Sequence, residues 1–211
     1  VRNFDKSKVD YTIYLVTDRD VLNGRDLKSA VEDTILGGAT LIQLREKNCS
    51  SLEFYNIALE VKEVTTKYNI PLIINDRLDI ALAVNSEGVH IGQSDIPLKI
   101  AKNILGEEKL IGVSAQTLEQ AVVAEREGAD YLGVGAIFKT STKKDAKQGL
   151  GLELLREIKH NIKIPIVGIG GINHSNAKLV MDTGVQGVSI VSCILGEENI
   201  RVATEDLKNK L

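Results

Sequence analysis

Between Gly133 and Gly151 an apolar run, Gly133-Val134-Gly135-Ala136-Ile137-Phe138, opens into Lys139-Thr140-Ser141-Thr142-Lys143-Lys144-Asp145 and returns through Gly149-Leu150-Gly151. Hydroxyl donors, ammonium groups and glycines that admit close backbone approach are what a polyphosphate requires. A lysine-rich surface loop would have the same composition, so the meaning of this stretch depends on what accompanies it. Similar polar clusters follow other apolar runs. Gln43, Arg45 and Lys47 alternate after one, Asn75-Asp76-Arg77 follow a second, Gln93 and Asp95 a third, and Ser114 ends a fourth. Alternation places Gln43, Arg45 and Lys47 on one side of an extended segment.

Asp76 and Asp95 each fit a helix cap when taken alone. With Arg and Lys beside them, they suit one divalent ion such as Mg²⁺, which takes few carboxylates, several waters and phosphate oxygens. Gly168-Ile169-Gly170-Gly171-Ile172 would let backbone amides approach an anion, and Val191-Ser192 precedes a short helical pattern whose first amides would favour a phosphate. The glycines could instead only relieve crowding at a strand end. At a spacing of two, Gly133 with Gly135 and Gly168 with Gly170 are expected to keep a cavity open on one side. Two anion sites imply two phosphorylated small-molecule substrates, with a charge-matched pyrophosphate as the leaving group.

Other reactive side chains carry less. His90 falls inside a strand pattern and His160 and His174 near helix ends, which favours core or surface roles. Cys49 and Cys193 have no base nearby in the pattern and are expected to be unreactive. Phe54 and Tyr55 fit helix packing, and the position of Phe138 stays open.

The elements that must hold these residues repeat along the chain. Tyr11-Thr17, Thr40-Leu44, Pro71-Ile74, Gly88-Gly92, Leu110-Ser114, Tyr131-Gly135, Ile164-Ile169 and Gly187-Val191 are strand candidates, and a helical pattern follows each. Ser50 with Glu53 and Thr117 with Gln120 form capping-box patterns. Strands that are continuous apolar runs belong to a parallel sheet covered on both faces. Eight such units predict an α/β fold, a single-domain (β/α)8 TIM barrel over residues 1–211, with residues 1–9 as an N-terminal arm. The rival, an open doubly wound sheet, lacks its G-x-G-x-x-G signature after the first strand. A barrel collects its polar strand ends at one mouth.

Composition narrows the function. The chain has 211 residues, 43% hydrophobic and 26% charged, within globular usage. A formal net charge of -3 argues against a nucleic-acid or membrane-surface partner. Two cysteines without metal-type spacing, and no apolar run of spanning length, give the expectation of a soluble cytoplasmic protein. Self-association into a homo-oligomer stays open.

In order along the chain, Gln43-Leu44-Arg45-Glu46-Lys47, Ile74-Asn75-Asp76-Arg77, Val89-His90-Ile91-Gly92-Gln93-Ser94-Asp95, Gly112-Val113-Ser114, Thr140-Ser141-Thr142-Lys143-Lys144-Asp145 and Ile169-Gly170-Gly171-Ile172 resemble the thiamine phosphate synthase family. The resemblance implies a transferase that joins 4-amino-2-methyl-5-hydroxymethylpyrimidine diphosphate to a thiazole phosphate and releases pyrophosphate. It implies contacts to the pyrimidine diphosphate from Gln43, Arg45, Lys47, Asn75, Ser114 and Lys143, and further substrate contacts from Leu44, Glu46 and Ser141. On the thiazole phosphate side it implies Thr140, Thr142, Gly171, Val191 and Ser192. Arg45, Lys47, Ser114 and Lys143 would be catalytic, and Asp76 and Asp95 would hold Mg²⁺. The implied mechanism is dissociative, through a pyrimidine-stabilised cation, and a loop closing over both substrates would keep water from that cation. One departure is Ala136, where members of the family often carry proline; without it the loop entry is expected to be less stiff. Two alternatives are a thiazole tautomerase-like isomerase on the same barrel, which would not need the aspartate pair or Lys143, and a non-catalytic protein that binds phosphorylated metabolites.

Overall fold

The structure is a computed structural model that describes residues 4–140 and 149–211. The strands are β1 (Ile13–Val16), β2 (Leu41–Leu44), β3 (Leu72–Asn75), β4 (Gly88–Ile91), β5 (Leu110–Ala115), β6 (Tyr131–Gly135), β7 (Ile166–Ile169) and β8 (Gly187–Ile190). They are parallel and close in sequence order into a barrel, β8 pairing back onto β1. Around it lie α1 (Arg19–Leu22), α2 (Leu27–Leu36), α3 (Ser51–Lys67), α4 (Leu78–Ala83), α5 (Leu98–Leu105), α6 (Leu118–Arg126), α7 (Gly151–Asn161), α8 (Ala177–Met181), α9 (Ser192–Leu195) and α10 (Ile200–Lys208). The expected (β/α)8 barrel is therefore the fold. Among the described residues, no helix is long and apolar enough to cross a membrane.

The strands are buried almost throughout because alternate residues enter two different cores. Leu15, Ile42, Leu44, Leu72, Ile74, Val89, Ile91 and Val188 face outward and pack under the helices. Tyr11, Tyr14, Leu41, Ile73, Leu110, Tyr131 and Val167 fill the barrel itself. Each such side chain contributes about 1.5–3 kcal/mol when fully buried. The N-terminal arm adds to the inner core. Its Lys6–Lys8 turn brings Phe4 and Val9 onto the tyrosine cluster near the strand starts, and Lys6 Nζ reaches Asp130 at 2.9 Å.

Helix starts follow the capping chemistry read from the sequence. Ser50 Oγ accepts from Glu53 N at 3.1 Å and Thr117 Oγ1 from Gln120 N at 3.2 Å. Asp18, by accepting from Asp20 N at 3.0 Å, starts a single-turn helix α1 that the hydrophobic periodicity did not indicate, because one turn is too short to show a period.

Candidate active site

The strands' C-terminal ends enclose one large cavity of about 670 Å³. Register explains which residues reach it. Asn75 lies opposite His90, His90 opposite Gly112, and Ser114 opposite Gly133, so these positions share the inward face, as does Gln43 on β2. Arg45 continues that face beyond β2: its backbone N–H is held by Thr17 Oγ1 at 3.0 Å and its guanidinium stands 3.6 Å from Asp18. Lys139, Thr140, Gly170, Gly171, Val191 and Ser192 line the opposite side.

Lys47, Asp76 and Asp95 stand just beyond the lining residues. Lys47 is paired with Asp76, and Asp95 Oδ2 accepts from Gly92 N at 2.6 Å. The two aspartates also interact with each other. Burial pushes the Asp76 carboxyl up, but Lys47, Asp95 and Asn75 together hold it below the usual carboxylate range. Burial raises Asp95, the Gly92 amide opposes it, and the neighbouring Asp76 charge leaves it above that range. Two carboxylates sharing one ammonium have room for further positive charge. The backbone at Asp76 has φ +61°, a left-handed conformation that aspartate tolerates better than most residues and that turns its side chain out of the strand direction.

The opposite side is made of backbone. Gly170 and Gly171 have φ +95° and +67°, and a Cβ on Gly171 would lie 2.7 Å from the Lys139 carbonyl oxygen. This close approach is locked by Phe138 N donating to Gly170 O at 3.0 Å, which brings the chain after β6 against the chain after β7. At β8, Val191 leads into α9, whose first amides have no partner within the helix.

Several expected positions need correction. Leu44 is fully buried between the barrel and the helices, because it has the opposite parity to Gln43 and Arg45, so its side chain does not reach the cavity. Glu46 has the same parity. Its side chain is 5% exposed and bound by Arg19 at 2.8 Å, and burial, opposed by Arg19, leaves its carboxyl raised. Arg77 turns to Asp79 at 2.6 Å and Ser51 at 2.8 Å, away from the lining residues. Gly168 keeps no cavity open: a Cβ there would meet Val180 of α8 at 2.6 Å, so it serves the outer core. Phe138 packs on that core as well. Ser141, Thr142 and Lys143, with Lys144 beside them, lie outside the described residues.

Sequence reasoning undervalued His90, which lines the cavity. The signal was present in its neighbours: Val89 and Ile91 are apolar, so alternation sends His90 inward. Tyr14, Asp18 and His174 also line the cavity without having been expected there. Cys193 lines it too, but burial pushes its thiol up to about 12, so it is a poor nucleophile at neutral pH.

A closed parallel barrel with its cavity and polar side chains at the C-terminal strand ends defines a barrel enzyme that acts on small molecules. Comparison with known proteins gives the particular kind. The family model described as thiamine monophosphate synthase matches residues 13–194. The chain is 59% identical to the thiamine-phosphate synthase of Clostridium tetani, over 94% of this chain and 95% of that protein, and 57% identical to that of Clostridium novyi, over 95% and 98%. Among solved structures, thiamine phosphate pyrophosphorylase from Pyrococcus furiosus superposes with a TM-score of 0.88 at 40% identity, covering 96% of each chain. The chain belongs to the thiamine monophosphate synthase family, whose members named here are transferases.

Proposed function

We propose that this chain joins 4-amino-2-methyl-5-hydroxymethylpyrimidine diphosphate to a thiazole phosphate, giving thiamine monophosphate and pyrophosphate, and that it works in the cytoplasm with Mg²⁺. The observation that carries this reading is the division of the mouth. Charged side chains after β2, β3 and β4 stand on one side, and glycine backbone after β7 with the start of α9 stands on the other.

The donor set fits magnesium. Asp76 and Asp95 supply oxygen ligands only and leave places for water and phosphate oxygens. Bound by these aspartates, Mg²⁺ would supply charge neutralisation for the departing diphosphate.

The chain's own groups account for the rest. Arg45 and Lys47 bind the diphosphate oxygens, joined by Lys143. Gln43, Asn75 and Ser114 orient the pyrimidine on the inward faces of β2, β3 and β5. The C–O bond to the diphosphate breaks first, its electron pair leaving on an oxygen whose charge these cations already match. The pyrimidine-stabilised cation then takes the lone pair of the thiazole nitrogen, forming the new C–N bond. That nitrogen has no proton to lose, so no general base is required. Thr140, Ser141, Thr142, Gly171, Val191 and Ser192 hold the thiazole phosphate during capture.

Supplying both substrates with Mg²⁺ and following pyrophosphate tests the reading. Release that requires all three is expected. Tight binding of both substrates without release would sink it, and an isomerase acting on the thiazole phosphate alone would release none.

A further inference from the structure

Beneath the cavity, side chains from β1, β2, β4, β5 and β6 form one unbroken hydrogen-bonded chain. Gln43 Nε2 donates to the Tyr14 hydroxyl at 2.8 Å, and the Tyr14 and Tyr131 hydroxyls are 2.7 Å apart. The Tyr131 hydroxyl is 3.0 Å from His90 Nδ1, and His90 Nε2 is 2.9 Å from Ser114 Oγ. Gln43 and Ser114, the two ends, both line the cavity, as do Tyr14 and His90; Tyr131 lies below it. The middle is built without slack: a Cβ on Gly112 would lie 2.1 Å from the Tyr131 ring, and one on Gly133 3.0 Å from His90.

The proton count makes this chain directional. Burial, the largest cause, raises both phenols well above their ordinary range, so each hydroxyl keeps one proton. With a neutral imidazole, which has one N–H and one bare nitrogen, the chain has two consistent arrangements. If Gln43 donates inward, Tyr14 donates to Tyr131, Tyr131 donates to His90 Nδ1, and the proton on His90 Nε2 goes to Ser114. Gln43 then keeps its carbonyl oxygen, with its second N–H beside it, for the cavity, while Ser114 offers its hydroxyl proton. If the Gln43 amide turns over, every bond reverses, and Gln43 offers N–H while Ser114 offers a lone pair. Mixed arrangements leave a buried hydroxyl proton unpaired, which costs about 1–3 kcal/mol.

We propose that Tyr14, Tyr131 and His90 are positioning residues that hold Gln43 and Ser114 in opposite hydrogen-bonding polarity. The cavity then selects a ring that carries one donor and one acceptor, such as an amino-substituted nitrogen heterocycle. The identity of that ring as the aminopyrimidine rests on the proposed function; the directional chain does not.

Two variants that do not touch His90 test the chain. The protein has three histidines, so ¹⁵N-histidine NMR with His90→Gln for assignment reads the His90 tautomer directly. With Gln43 donating to Tyr14, the neutral Nε2–H tautomer is the one expected in the unaltered protein. Gln43→Met and Tyr14→Phe each cut the chain at or near its far end, and each is expected to turn that single tautomer into a mixture. An unchanged His90 spectrum in whichever of them folds, or a mixture already in the unaltered protein, overturns the proposal. Turnover supplies the second readout. Removing the ring amino group of the pyrimidine diphosphate is expected to raise KM by about tenfold in the unaltered protein and by only about twofold in Tyr14→Phe. Equal ratios would overturn the selectivity. Absence of turnover with either ring would refute the proposed function instead, leaving the tautomer measurement to judge the chain.

Discussion

The two sides of the mouth are made of different material. After β2, β3 and β4 the working groups are side chains: Lys47, Asp76 and Asp95 stand close enough for the two carboxyls to be shifted by one another and by the ammonium, and Arg45 stands beside Asp18. After β7 and β8 they are backbone, exposed where Gly170 and Gly171 adopt positive φ and where α9 begins. The difference suits the two tasks proposed for them. A departing diphosphate gains charge and needs cations that meet it, whereas a phosphate that is only held is served by fixed dipoles. Side chains can be exchanged with little change in backbone, but the glycine turn cannot take a Cβ without moving Lys139 and Phe138.

That contrast can be broken first on the charged side. Asp76→Asn is expected to keep the fold, because asparagine also tolerates a left-handed backbone. It should lower kcat on the order of a thousandfold, with Asp95→Asn similar, since several kcal/mol of charge stabilisation is removed. Steady-state rates across a Mg²⁺ titration measure this, and activity that survives excess chelator would contradict the assignment. Lys143→Ala should lose about 2–4 kcal/mol in transition-state stabilisation, by analogy with removal of one oxyanion donor. A change confined to the KM for thiazole phosphate would move Lys143 to the other side of the mouth.

On the backbone side, Gly171→Ala introduces both a clash and a strained φ. A cost of about 1–3 kcal/mol is expected, read as a higher KM for thiazole phosphate with the KM for pyrimidine diphosphate unchanged. Parallel losses for both substrates would mean that the two sides are not separate. Leu44→Met should leave both KM values alone and cost less than about 1.5 kcal/mol in thermal unfolding, because this side chain lies in the outer core.

The smallest effect is on pH dependence. The folded Asp76 carboxyl titrates below the usual range, so it contributes stability that is present above its unfolded value and lost as pH falls through its folded value. The Lys47 contact that opposes the burial penalty is partly exposed, which limits the size. Comparing acid unfolding of the unaltered protein with Lys47→Met should show a weaker acid-side loss in the variant, and superimposable curves would remove Lys47 from the account.

By itself, the sequence determined the fold and named candidates for the charged side. Strand-length apolar runs alternating with helical periods admit few architectures, and the strand-end rule then pointed to Arg45, Lys47, Asp76, Asp95 and Ser114. The four charged ones announce themselves by type, because charge at the end of a buried strand has few structural reasons to exist. Tertiary structure alone decided what depends on direction and contact. Inward and outward parity separated Gln43 from Leu44 and put Gly168 against Val180 rather than in the cavity. It also joined Tyr14, Tyr131 and His90 from three strands into one hydrogen-bonded chain. No spacing along the sequence encodes that chain, since Tyr14 and Tyr131 are separated by 117 positions and meet only because the sheet closes into a barrel.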